Sequence, residues 1–207
     1  MFRSRMKKIN NFFSLFQEGM TVLDVGVDIE NGYTPHVKNL FLKQYPYSPE
    51  TYTALGVQDL SQMNELYPGK RFVTYDDVKM PFGDDEFDWV FCNAVVEHVG
   101  NDIAQLDFLN ELLRVAKYVY FTTPNKYFPI ETHSNILFLH WIDYLFFWWT
   151  KRYSPSINRG NLNLLSYNSL RTLVKASNAK LFGVHKNRFF GVPMTFTVYC
   201  NYSPPRK

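Results

Sequence analysis

Five short apolar runs, each ended by a glycine, a proline or a polar residue, constrain this chain more than any other feature. Thr21-Val-Leu-Asp-Val-Gly26 is β-rich and ends in glycine, the pattern of a buried strand followed by a tight turn. Thr53 to Val57, Phe72 to Tyr75, Phe87 to Cys92 and Tyr118 to Thr123 repeat the theme. Between the last two, Asp102 to Val115 sets Leu106, Leu109, Leu112 and Leu113 on one helical face. Apolar spacing predicts a first helix over Met6 to Phe16, and another is expected over Tyr33 to Gln44. Strand alternating with helix predicts an α/β fold, a doubly wound and mostly parallel sheet. Leu181 to Val184 and Thr195 to Tyr199 have no helix between them. They predict an antiparallel strand pair at the C-terminal end, joined by a loop carrying Gly191 and Pro193.

A chain of 207 residues fits a single domain, 1–207. Over about 125–171 the alternation stops, and this insertion reads as a lid or substrate-binding element too small to hold a core alone. Within it, Ile136 to Trp149 is very apolar but shorter than the roughly 20 residues of a membrane span. His140 and Asp143 interrupt it. Three readings stay open there: a buried or lid helix, an interfacial helix in peripheral contact with a membrane surface, or the wall of an apolar substrate pocket.

The net charge of +3, from 22 basic against 19 acidic residues, falls short of a nucleic-acid footprint, and no nucleic-acid partner is expected. The densest basic cluster, Arg3, Arg5, Lys7 and Lys8, reads as a solvated helix face, with a weak anionic-surface contact as the alternative. Cys92 and Cys200 have neither metal-ligand nor disulfide spacing, so no metal is expected and a reducing, cytoplasmic setting is. The first residues lack a signal-peptide pattern.

In an open α/β sheet, ligands bind beyond the carboxyl ends of the strands. The residues just past each run are therefore the ones placed to meet a ligand. Asp24 and Gly26 close the first, Asp59 follows the second, and Asp76 and Asp77 follow the third. Asn93, Glu97 and His98 follow the fourth; Asn125, Glu131 and His133 follow the fifth. These groups converge on one crevice. His98 and His133 are candidate bases, because imidazole titrates near working pH, and Glu131 is placed to orient His133. The plainer roles are a helix-start residue for His98 and a backbone-bonded loop histidine for His133. Glu97 reads as a local cap, and His140 and Trp141 as lid or core.

Several motifs resemble a known family. VLDVG, Val22 to Gly26, resembles the first motif of class I S-adenosylmethionine-dependent methyltransferases. MPFGDDEFDWVFCNAVVEHV, Met80 to Val99, resembles the signature of the methyltransferase type 11 family. LLRVAKYVYFTTPNKYFPIETHS, Leu112 to Ser134, and NLNLLS, Asn161 to Ser166, are similar to a subgroup associated with bacterial surface-polysaccharide clusters. The resemblance spans about residues 20 to 200. It implies a Rossmann-like sheet and S-adenosylmethionine as cofactor. It also implies that Asp24 and Gly26 sit beside the methionine end, with Asn93 beneath it. An acid after the second strand, Asp59 or else Gln58 in its place, would hold the ribose hydroxyls. Asp76, with Asp77 beside it, would contact the adenine amine. One departure stands out: the family's Gly-x-Gly-x-Gly turn is here Gly26-Val-Asp-Ile-Glu-Asn-Gly32, with Asp28 at the second glycine position. Asp28 tolerates a positive φ poorly, and Gly32 restores a close approach only later. Two functions are compatible with this. The first is O-methylation of a small-molecule, glycan or lipid-linked acceptor by a cytoplasmic methyltransferase (EC 2.1.1.-) serving polysaccharide biosynthesis. The second is a non-catalytic scaffold with a degenerate cofactor loop. Low net charge and the lack of an Asn-Pro-Pro-Tyr-type motif speak against a nucleic-acid methyltransferase.

Overall fold

The computed structural model describes residues 2–30, 38–76, 79–131 and 133–202. One sheet holds β1 (Val22–Val25), β2 (Tyr52–Gly56), β3 (Arg71–Thr74), β4 (Phe87–Asn93), β5 (Ala116–Pro124), β6 (Phe182–Phe189) and β7 (Val192–Cys200). Its order is β3-β2-β1-β4-β5-β7-β6. The first five strands pair in parallel, and β7 runs antiparallel to both neighbours. The mostly parallel, doubly wound sheet with its antiparallel pair is the expected fold. The helices are α1 (Phe2–Phe13), α2 (Leu40–Gln44), α3 (Met63–Leu66), α4 (Asp102–Val115), α5 (Asp143–Tyr153) and α6 (Tyr167–Ala176).

The period of two along each strand sorts the core into two layers. Val22, Trp89, Phe91 and Tyr120 face α1 and α2, whereas Leu23, Val90, Cys92, Val119 and Phe121 face α4 and α6. The first layer is aromatic. Phe12 meets Trp89, Phe91 and Tyr120 edge-on, with ring centroids 5.5, 5.2 and 5.4 Å apart, and Phe41 stacks on Phe91 at 3.9 Å. The second layer is aliphatic, built from Leu109 and Leu112 of α4 and Leu170 and Val174 of α6. Both helices on that side start at a cap. The Asn101 side chain accepts from the Ala104 N–H, and Ser166 and Ser169 form a reciprocal capping box.

Four expectations change. The C-terminal strands are longer and meet in a tight turn at Phe190 and Gly191, with Gly191 at φ 81°. Pro193 lies inside β7, opposite Arg188 beside a register shift, where a missing N–H is tolerated. Within the expected pair, β7 is inserted between β5 and β6. Lys8 is not on a solvated face: it is 5% exposed, because it lies on the same side of α1 as Ile9 and Phe12. Of the helix expected over 33–44, residues 33–37 lie outside the described residues, and only Leu40–Gln44 is helical.

The apolar run 136–149 is not one buried helix. A 3-10 turn (Leu139–Trp141) precedes α5, and the buried residues of α5 are Phe146 and Thr150. Leu137, Phe138, Ile142, Tyr144 and Trp148 are exposed. Among the described residues, no helix is long and apolar enough to cross a membrane.

Candidate active site

At the end of β1 the chain turns sharply. Gly26 has φ 94°, and a Cβ there would sit 2.4 Å from Val95 Cγ2, so glycine is required twice over. Gly56 ends the neighbouring β2; a Cβ on it would sit 2.3 Å from the carbonyl oxygen of Val27. The loop after β1 therefore rests on the end of β2, with the Gly26 and Val27 N–H groups donating to Leu55 O. Asp24 points into the protein, 5% exposed, and accepts from the Tyr52 hydroxyl at 2.5 Å. Burial pushes its carboxyl up to about 7, against the pull of the Tyr52 bond and the Lys70 charge.

The altered turn is built without strain at Asp28, which does not adopt a positive φ. Among the described residues of this loop after Gly26, the left-handed one is Asn39, at φ 46°. Its side chain accepts from the Asp28 N–H at 3.1 Å and donates to the Asp28 carbonyl at 2.7 Å and to Glu30 Oε1 at 3.0 Å. Lys38 pairs with Asp28 at 3.0 Å. Gly32 and Asp77 lie outside the described residues. A cavity of about 300 Å³ opens here, lined by Asp24, Gly26, Asp28, Asn39, Asn93 and His133 among others.

Asp59 and Asp76 stand farther along the same rim, beyond β2 and β3, and outside that cavity. Both are exposed, and Asp59 accepts the Ser61 N–H at 2.9 Å. Their carboxylates sit where the sheet order alone puts them, beyond the two strands next to Gly26.

The ends of β4 and β5 carry a different chemistry. Asn93 accepts from the Thr122 hydroxyl at 2.8 Å, and Ala94 bends the chain with φ 59°. A 3-10 turn comes next (Val96–His98). Glu97 is fully buried; one carboxylate oxygen accepts from Thr123 at 3.1 Å, and the other, Oε1, has no partner. Its burial raises its pKa. His98 Nδ1 lies 2.9 Å from the Asn161 carbonyl oxygen, and its Nε2 lies 3.0 Å from Nε2 of His133. His133 Nδ1 lies 2.6 Å from Glu131 Oε1, while the other Glu131 oxygen accepts from the Ser134 N–H and hydroxyl. Burial would raise Glu131, but the bonds from His133 and Ser134 hold it down to about 2. Burial lowers His133, yet the Glu131 bond and charge outweigh it and the net direction is upward.

A second cavity, about 130 Å³, lies beside this pair and is lined by Lys8, Glu97, Thr122, Thr123 and Thr195. It shares Arg5, Asn93, Ala94 and His133 with the first. Lys8 Nζ reaches Thr122 Oγ1 at 3.4 Å, and burial lowers its pKa to about 8.

The structure thus gathers Asp24, Gly26, Asn93 and His133 around one cavity and joins His98 and Glu131 to it through His133. His140 is a core residue, 1% exposed, with Nε2 at 2.8 Å from the Phe128 carbonyl. Sequence reasoning missed Lys8, Asn39 and Tyr52. Lys8 left a signal, its helical spacing from Phe12; Asn39 and Tyr52 left none, since their partners lie 11 and 28 residues away.

A methyltransferase-domain family matches residues 1–182. The chain belongs to that family. Solved structures agree on the fold. A SAM-dependent methyltransferase from Methanosarcina mazei is 18% identical, with 92% of this chain and 94% of that one covered at a TM-score of 0.59. One from Aquifex aeolicus is 19% identical, with 93% and 88% covered and a TM-score of 0.54. The N-terminal domain of EvdMO1, solved with SAH bound, is 16% identical, with 94% and 79% covered and a TM-score of 0.57. It has also been solved in the presence of SAH and D-fucose. No curated protein matches this methyltransferase-domain chain.

Proposed function

We propose that this chain is an S-adenosylmethionine-dependent methyltransferase acting on an oxygen of a small-molecule, glycan or lipid-linked acceptor. The observation that carries the reading is the meeting of two cavities at Asn93, Ala94 and His133, one beside the β1 turn and one beside the histidine pair. S-adenosylmethionine is the cofactor, and when bound it supplies an electrophilic methyl group. The residues fit it. Gly26 and Asp24 line the cavity beside the β1 turn, and Asp24, with its pKa at about 7, is ionised in part near neutral pH and then suits a ligand with cationic centres. Asp59 and Asp76 offer rim carboxylates to the ribose and adenine.

On the acceptor side, Glu131 fixes the tautomer and orientation of His133, as Asn161 does for His98. The two Nε2 atoms face each other at 3.0 Å, and the histidine pair is placed beside the second cavity to take the proton of an acceptor hydroxyl. Arg5 and Lys8 line the same space and favour an acceptor with anionic or hydroxyl-rich character. The exposed Leu137, Phe138, Ile142, Tyr144 and Trp148, with Lys151 and Arg152 on α5, support a lipid-linked acceptor and peripheral contact with an anionic membrane. The EvdMO1 domain solved in the presence of D-fucose supports a glycan part. A cytoplasmic role in surface-polysaccharide synthesis rests on the motif resemblance.

The test supplies the purified chain with methyl-labelled S-adenosylmethionine and fractionated bacterial extract. Label in a glycan or lipid fraction is expected. Label in protein or nucleic acid sinks the acceptor assignment; failure of a folded chain to bind the cofactor in a calorimeter favours the scaffold reading.

A further inference from the structure

We propose that Glu97, His98 and His133 form a binding site for a first-row divalent transition-metal cation. His98 Nδ1 faces the Asn161 carbonyl oxygen at 2.9 Å, a group that only accepts, so that nitrogen carries a hydrogen. His133 Nδ1 faces the Glu131 carboxylate at 2.6 Å and carries one for the same reason. With Nδ1 carrying the hydrogen, a ring in its neutral form presents a bare lone pair at Nε2, and the two Nε2 atoms are only 3.0 Å apart. Two lone pairs at that distance repel. Either a proton is shared between the rings or a cation is ligated by both.

Glu97 separates the two possibilities. It precedes His98 in the chain, is fully buried, and keeps Oε1 without a hydrogen-bond partner. An unpartnered buried carboxylate oxygen is costly and calls for an ion or donor. A proton shared by the histidines leaves Oε1 as it is; a cation bound to both also attracts it. One ligand atom from each of the three side chains lies within 4.8 Å of the other two.

The surroundings have the form of a metal site. Both rings donate Nδ1–H to an outer acceptor, one a carboxylate and one a backbone carbonyl, which is how ligating histidines are held. With metal–nitrogen bonds of about 2.1 Å, nitrogens 3.0 Å apart subtend about 90° at the metal, the cis edge of an octahedron. Two imidazoles and one carboxylate leave three positions open, and this donor set suits manganese, iron, cobalt or nickel better than magnesium or calcium. Glu97 and His133 line the 130 Å³ cavity, so those positions open toward it. Lys8 and Arg5 line it too and oppose the cation by charge. Only the cation's role rests on the proposed function: it would hold an acceptor oxygen and make its hydroxyl more acidic, in place of a histidine base.

The test strips the full chain with chelator and titrates it with cobalt(II) chloride alone, without cofactor or acceptor, by calorimetry and visible absorption. One cobalt per chain is expected. His98→Ala and His133→Ala, both at exposed positions, should each weaken binding by about 100-fold or more, and Glu97→Gln by about 10-fold. Magnesium in 100-fold excess should not displace it. Wild-type binding no tighter than that of His98→Ala/His133→Ala overturns the site and leaves a shared proton between the rings. Because no methyl transfer is measured, failure here and failure of the cofactor assignment give different results.

Discussion

The two halves of the crevice are built on opposite principles. At the end of β1 the charged group is turned inward: Asp24 is buried against Tyr52, and the chain turns beside the cavity at Gly26, where no side chain fits. At the ends of β4 and β5 the two histidines are turned outward, and the burial falls on Glu131, which holds His133, and on Glu97, next to His98 in the chain, at 2% and 0% exposed. One half is shaped to receive a ligand closely. The other is shaped to hold two imidazoles in fixed tautomers. Binding and proton chemistry should therefore separate under mutation.

The largest effect is expected on the histidine side. His133→Ala and His98→Ala should each lower methyl transfer by about 10²–10⁴-fold, while cofactor affinity measured by calorimetry changes less than about twofold. A parallel loss of cofactor affinity would erase the distinction between the halves. Gly26→Ala should do the reverse. Strain at φ 94° and the contact with Val95 together cost about 2–4 kcal/mol in urea unfolding and weaken cofactor binding at least about tenfold. Retained affinity would mean the turn can shift away from Val95.

Asp24 sharpens the same contrast through pH. Its folded pKa, about 7, lies above the ordinary 3.8, so the stability it contributes is full below pH 4 and is lost as pH rises through 7. Asp24→Asn, which can still accept from Tyr52, should then be more stable than the wild type at pH 8, by at most about 4 kcal/mol, and the gain should vanish near pH 4. Urea midpoints at pH 4, 6 and 8 check the sign. The smallest effect belongs to the insertion. Trp148→Ala removes a side chain on a residue 64% exposed and should change stability by less than about 0.5 kcal/mol. It should nonetheless weaken sedimentation with anionic vesicles severalfold; unchanged sedimentation removes the peripheral membrane contact from the proposed function.

The fold was legible because its signals are local. Each strand is a short apolar run, and α4 has the predicted bounds, Asp102 to Val115, because a capping Asn101 and a leucine face sit within one stretch of chain. The C-terminal pair was read short, since Phe182–Phe189 alternates exposed and half-buried residues and Val192–Cys200 mixes threonines and a proline among its apolar residues. Asp28 was read as an obstacle because the compensating Asn39 is 11 residues away.

The sequence by itself determined the alternation of strand and helix, the glycine at the end of β1, and the set of polar residues at five strand ends. These are matters of periodicity and backbone freedom, settled within a few residues. Only the tertiary structure decided which of those residues meet. His98 and His133 are 35 residues apart and come within 3.0 Å because β4 and β5 are neighbours in the sheet. The Asn161 that fixes one of them arrives from the far end of the insertion, 63 residues on. Lys8, charged and in a basic cluster, is drawn beneath the site because α1 must bury Phe12 against Trp89 and Phe91. Hydrophobic burial sets where the helices lie, and the polar residues on them go where that packing takes them.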